Sequence, residues 1–98
     1  MMKKTKIICT LGPASTNSEV LQQMIEAGMN IVRLNFSHGT YEEHAARIQT
    51  VRETASKAGA CIGIIADIQG PKIRIGSLAN EPSILVKNEI VYLSINPG

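Results

Sequence analysis

Asn30-Ile31-Val32-Arg33-Leu34-Asn35-Phe36-Ser37 is the stretch on which the fold turns. Its character alternates with a period of two, the period of a β-strand. Val32, Leu34 and Phe36 fall on one face, while Arg33, Asn35 and Ser37 fall on the other. An apolar row packed under helices is routine. In a parallel sheet the second row should be apolar too, because both faces are covered, and Arg, Asn and Ser in succession break that rule. Burying an unpaired guanidinium is costly, so Arg33 calls for an anionic partner or a wet cleft. Ligands in α/β folds bind at the C-terminal ends of strands, where this row lies.

The flanking sequence explains why the strand is parallel. Upstream, residues 6–11 form a short apolar run with Ile7, Ile8 and Cys9, ended by Gly12-Pro13, and read as a buried strand. Thr16-Asn17-Ser18-Glu19 carries a capping-box pattern with Thr16 as the cap. Val20, Leu21, Met24 and Ile25 then follow at helical spacing, and Gly28 is the stop. Downstream, Thr40 to Glu43 is a second capping box. It opens a long helix with Ile48, Val51 and Ala55 on one face, and Gly59 ends it. Residues 61–68, nearly continuous in Ile and Ala, read as a third strand buried on both faces. Strand, helix, strand, helix, strand with short connections is the pattern of βαβ units and a parallel sheet.

After Gln69-Gly70-Pro71 the pattern changes. Residues 84–86 and 90–95 are apolar runs joined by Lys87-Asn88-Glu89, which reads as a hairpin with one solvated face. A boundary near residues 70–76 therefore separates an α/β part (1–70) from the start of an all-β part (71–98). Three strands do not close a barrel, which takes eight and about 250 residues. The chain stops inside a β segment at Asn96-Pro97-Gly98, so it is expected to be a piece of a longer protein.

Composition narrows the possible functions. The 98 residues are 44% hydrophobic and 18% charged, with a formal charge of +2, as in an ordinary globular domain. No apolar run approaches the roughly 20 residues of a membrane span. Met1-Met2-Lys3-Lys4-Thr5-Lys6 imitates the basic region of a signal peptide, but the apolar stretch after it is too short, and a cytoplasmic protein is expected. The charge is too small and too evenly spread for nucleic acid, and one Phe and two Tyr make no stacking platform. Cys9 and Cys61 are too far apart for a CxxC pair and lie among apolar neighbours, as reduced buried thiols do.

Around the polar row, several residues carry candidate chemistry. Arg33 either pairs with Asp67 to fill the strand ends or meets an anionic ligand. Asp67, Asn35 and Ser37 offer a carboxylate, an amide and a hydroxyl oxygen on adjacent strands, a donor set for a weakly held hard cation. His38, in the following loop, either contacts a ligand or titrates in solvent, whereas His44 lies near the packing face of the long helix and reads as structural. Lys72 and Arg74 flank a stiff Gly70-Pro71 turn. They form either a phosphate-binding pair or a solvated basic linker. There is no Walker loop and no GxGxxG.

These residues resemble the N-terminal end of pyruvate kinases. The similarity lies in Thr5-Lys6-Ile7-Ile8-Cys9-Thr10-Leu11-Gly12-Pro13-Ala14-Ser15, in Gly28-Met29-Asn30 with Arg33-Leu34-Asn35-Phe36-Ser37-His38-Gly39, and in Asp67-Ile68-Gln69-Gly70-Pro71-Lys72-Ile73-Arg74. The resemblance implies an α/β fold: the first three units of a TIM (β/α)8 barrel, followed by the start of an inserted all-β lid domain. It implies phosphoryl transfer from phosphoenolpyruvate to ADP, giving pyruvate and ATP, in a homotetramer. By the same resemblance Arg33 binds the substrate phosphoryl group, and Asn35, Phe36, Ser37, His38 and Arg74 line the nucleotide and phosphoryl site. Asn35, Ser37, Asp67 and the Ile68 carbonyl would hold a monovalent cation, K⁺. The Mg²⁺ ligands and the lysine that stabilises the phosphoryl group come from later strands, so the 98-residue chain alone is expected to be inactive. Two other readings stand beside it, another phosphate-handling barrel enzyme and a non-catalytic α/β module that binds an anion or a protein.

The sequence departs from the family pattern at one informative place. Potassium-requiring members carry Asp-Thr-Lys-Gly-Pro-Glu-Ile-Arg-Thr, where this chain has Ile68, Gln69, Lys72 and Ile75 in place of Thr, Lys, Glu and Thr. Exchanging Glu for Lys changes the local charge by two units. Unit charges about 4 Å apart interact by roughly 4 kcal/mol at an effective dielectric near 20. The Lys72 ammonium is therefore expected to stand in for K⁺.

Overall fold

In a computed structural model, residues 3–95 are described, and the Met1-Met2 and Asn96-Pro97-Gly98 ends lie outside them. Three parallel strands, β1 (Ile7–Thr10), β2 (Met29–Asn35) and β3 (Gly63–Asp67), stand in the order β1-β2-β3. They are joined by two helices, α1 (Ser18–Glu26) and α2 (Tyr41–Ala58). Leu21 of α1 and Val51 of α2 share one core with Val32 and Leu34 of β2, so both helices cover the same face of the sheet. A strand order that never reverses, with both crossovers on one side, is how a singly wound sheet begins. A doubly wound sheet reverses its order and covers both faces.

Local chemistry sets each boundary. Pro13 opens a single 3₁₀ turn, Pro13–Ser15, so Thr16 falls at the end of that turn and its Oγ1 donates to the Pro13 carbonyl at 3.1 Å. The α1 cap is therefore Asn17 rather than Thr16, its Oδ1 accepting from the Glu19 amide at 2.7 Å. The second capping box forms as the sequence indicates. The Glu43 amide donates to Thr40 Oγ1 at 3.2 Å, and the Thr40 amide donates to Glu43 Oε2 at 2.9 Å. Gly59 ends α2 in the left-handed region, with φ of 64°. On β1 the register slips between Ile7 and Ile8, and the Ile7 amide finds Asn30 Oδ1 at 3.0 Å instead of a ladder partner.

Leu21, Val32, Leu34 and Val51 are the largest fully buried side chains. Each contributes about 1.5–3 kcal/mol of hydrophobic stabilisation. The second face of the sheet carries no covering layer among the described residues. Ile8 is 54% and Ile65 39% exposed there. The expectation of a third strand buried on both faces thus fails on one of them, and β3 is shorter than residues 61–68. Ile68 is exposed because it lies past the last covering helix. Cys9 is half-buried on the helix side, whereas Cys61 is exposed, contrary to the buried thiol expected there.

Residues 68–95 contain neither helix nor strand, so the expected hairpin does not form. Its turn survives, with the Glu89 amide donating to the Val86 carbonyl at 3.1 Å. Ile84, Leu93 and Ile95 are 84–98% exposed. A two-stranded hairpin with no apolar surface beneath it is marginal in water. The radius of gyration is 19.0 Å, against about 13 Å for a compact chain of this length, because this segment extends away from the α/β body. Among the described residues, no helix is long and apolar enough to cross a membrane.

The outer edges of β1 and β3 are unpaired among the described residues, and an exposed apolar segment follows β3. Open edges of this kind recruit further strands. Light scattering on the 98-residue chain is expected to give a mass that rises with concentration above 10.6 kDa. A stable monomer at every concentration would contradict this.

Candidate active site at the strand ends

The register brings the polar row together. Thr10 of β1 pairs with Arg33 of β2, and Asn35 of β2 pairs with Asp67 of β3. Strand alternation then puts Thr10, Arg33, Asn35 and Asp67 on the uncovered face, at its C-terminal end, with Ile65 level with Arg33 on β3, while Ile8 and Ile31 occupy the same face nearer the N-terminal end. This face is apolar at its base and polar at its mouth.

Arg33 reaches in both directions along the row. Its Nε donates to Asp67 Oδ2 at 2.9 Å, its Nη2 pairs with the same oxygen, and its Nη1 donates to Thr10 Oγ1 at 3.2 Å. The guanidinium and the carboxylate lie on the same side and at the same end of the sheet. Both Arg33 contacts fall on Oδ2, leaving Asp67 Oδ1 without a partner among the described residues. The two side chains are 34% and 45% exposed. A pair this wet contributes at most about 1 kcal/mol once solvent screening is allowed for. It holds the row in order but is easily exchanged for another partner.

Beyond Asn35 the chain leaves the sheet. The Phe36 amide still donates to the Asp67 carbonyl at 3.0 Å, and then Asn35 Oδ1 accepts from the Ser37 amide at 3.1 Å in a turn. Ser37 therefore sits at the lip of the row rather than in a strand as expected. His38 is exposed in the same turn. Phe36 lies on the opposite side. Its ring packs against the core and stacks on His44 with centroids 4.3 Å apart, so it does not share a face with Arg33. A cleft of about 420 Å³ opens between this turn and the start of α2, lined by Ser37, Gly39, Thr40, Tyr41 and Gln69 among others. Lys72 and Arg74 are exposed, with no hydrogen bond or ion pair to other described residues, and the structure does not bring them onto the row.

The sequence reading passed over Thr10. It ends the apolar run Ile7-Ile8-Cys9, and its position level with Arg33 follows only from the pairing register. The available signal was a single polar residue closing a buried strand next to the one that carries the arginine. The oxygens of Asn35, Ser37 and Asp67 include one carboxylate. Among the described residues, no group of three or more His, Cys, Asp and Glu side chains is placed to hold a metal. That donor set suits a weakly bound monovalent ion and does not suit Mg²⁺.

Comparison with known proteins identifies the family. Residues 2–97 match the family model described as "Pyruvate kinase, barrel domain". Among curated relatives, a pyruvate kinase of Sporosarcina psychrophila is 50% identical over 94 residues, covering 96% of this chain and 16% of its own length. One of Bacillus licheniformis is 58% identical over 79 residues, covering 81% of this chain and 14% of its own. Two crystal structures of pyruvate kinase from Cryptosporidium parvum superpose with TM-scores of 0.67 and 0.68 at 46% identity, covering 69% of this chain and 14% of theirs. The chain thus spans about 16% of the length of the first of these relatives. With a strand-end row, a same-side helix layer and a family model that covers nearly every residue in agreement, the chain belongs to the pyruvate kinase family.

Proposed function

We propose that this chain is the N-terminal stretch of an enzyme that transfers a phosphoryl group from phosphoenolpyruvate to ADP, giving pyruvate and ATP. In this reading the three strands begin a (β/α)8 barrel, whose interior is the uncovered face, and residues 71–98 open an inserted lid domain. The enzyme would be a cytoplasmic homotetramer, as the family resemblance implies. The single supporting observation is the row Thr10, Arg33, Asn35 and Asp67 across three consecutive strand ends.

Arg33 is the substrate-binding residue of this reading. Its exposed pair with Asp67 is weak, and a phosphoryl group offers its fork a stronger bidentate partner. Asn35, Ser37 and His38 would line the phosphoryl and nucleotide side, joined by Arg74 when its segment folds over the site. Phe36 contributes by anchoring the turn through its stack on His44 rather than by lining the site with its ring. Asn35, Ser37, Asp67 and the Ile68 carbonyl fit a monovalent cation, and Lys72 supplies the positive charge in its place. Mg²⁺, whose ligands would come from sequence beyond Gly98, supplies charge neutralisation to the transferring group when bound.

In the full-length enzyme carrying this segment, Arg33→Met is expected to lower kcat/KM for phosphoenolpyruvate by about 10²-fold, as losing one positioned donor does. A coupled pyruvate assay reads this, and a variant within threefold of the parent would overturn the assignment. The 98-residue chain in the same assay is expected to form no pyruvate above background. Potassium titration of the full-length enzyme should raise activity by less than about tenfold over a baseline free of sodium and potassium, since in this reading the Lys72 ammonium takes the place of the ion once its segment folds over the site. A larger rise would remove Lys72 from that role.

A further inference from the structure

His44 is 2% exposed in the first turns of α2, and the site described above does not use it. Its Nε2 lies 2.6 Å from the His38 carbonyl. A carbonyl oxygen only accepts, so Nε2 carries the proton and donates. Its Nδ1 is buried with no hydrogen-bond partner among the described residues. Buried polar atoms are nearly always paired, and an orphan of this kind calls for a reason. A phenylalanine or leucine would fill the same space and leave no nitrogen stranded. What histidine adds here is the Nε2 donor, and that donor is spent on the loop.

The rest of the contact set points the same way. The His44 ring stacks on Phe36 at one end of the turn, with a centroid distance of 4.3 Å and an interplanar angle of 29°. Between the two anchored residues, Gly39 takes φ of +80°, and a Cβ there would lie 2.8 Å from Glu43 Oε2 and 3.3 Å from His44 Nε2. The positive φ favours glycine there, and the turn lies close against the start of the helix. We infer that His44 is a positioning residue: its Nε2–H···O=C bond to His38 and its stack on Phe36 fix the 36–39 turn, and with it the presentation of Ser37 and His38 at the polar end of the sheet.

The kinetic consequence rests on the proposed phosphoryl transfer, whereas the clamp itself does not. His44→Phe keeps a ring to stack but removes the donor, and His44→Gln restores an N–H. In the full-length enzyme, His44→Phe is expected to raise the KM for ADP about three- to tenfold, the size of one net hydrogen bond. The KM for phosphoenolpyruvate should move less than twofold, and His44→Gln should recover most of the loss. Equal effects of both variants, or no change in the KM for ADP while phosphoryl transfer persists, would reduce His44 to core filling. Independently of activity, ¹⁵N NMR of histidine-labelled enzyme should show His44 protonated at Nε2, with a coupling across the hydrogen bond to the His38 carbonyl carbon. That spectrum in an enzyme without phosphoryl transfer would overturn the functional reading and keep the clamp. Its absence would overturn the clamp, also where His44→Phe fails to fold.

Discussion

The centre strand β2 is subject to one geometric constraint, the two-residue repeat of a β-strand, and most of the molecule follows from it. Val32 and Leu34 are completely buried beneath α1 and α2. Those two contacts force Arg33 and Asn35 onto the other side, since a slip of one residue would bury a guanidinium and expose the core. The ladder to β1 and β3 then sets Thr10 and Asp67 level with them. The hydrophobic core on one side of the sheet thus positions the polar row on the other. A substitution that moved the register would damage both together.

The uncovered face follows the same logic at a larger scale. Ile8 and Ile31 at its base, and Ile65 beside Arg33, have no covering layer among the described residues, and Ile8 and Ile31 lie one rung beneath Thr10 and Arg33. In the proposed barrel, Ile8 and Ile31 would fill a layer beneath the polar row. An open three-stranded sheet leaves this apolar floor wet. The segment after β3 is in the same position, with strand-forming residues and nothing to pack on, so of the expected hairpin the turn at residues 86–89 remains.

What the sequence disclosed and what it concealed divide along physical lines. Features set within a few residues were legible, including the alternation of β2, the Thr40–Glu43 box and the left-handed stop at Gly59. The Asn17 cap was missed because two overlapping signals compete there, and the Pro13 turn takes Thr16 for itself. Cys61 and the apolar run of β3 misled for a different reason. Their composition describes a face that needs further chain to cover it, and burial is a property of neighbours rather than of the run itself. Thr10 was hidden because its partner is twenty-three residues away.

The charges of the polar row carry the argument furthest. Arg33 and Asp67 neutralise each other, so the row as it stands is balanced. In the proposed reading, an incoming phosphoryl group that takes the guanidinium would leave the Asp67 carboxylate without its cation. A bare carboxylate at the mouth of a closed cleft, beside an anionic ligand, would oppose binding through like-charge repulsion. The row therefore needs a second positive charge whenever the first is engaged, and the open Asp67 Oδ1 is where it would sit. A bound monovalent ion meets that need, and so does an ammonium delivered from the next turn of chain. Lys72 follows Asp67 by five residues, across the Gly70-Pro71 bend, and among the described residues it has no other partner to hold it back. In the proposed reading the Glu-to-Lys exchange and the Arg33–Asp67 pair would belong to a single electrostatic arrangement.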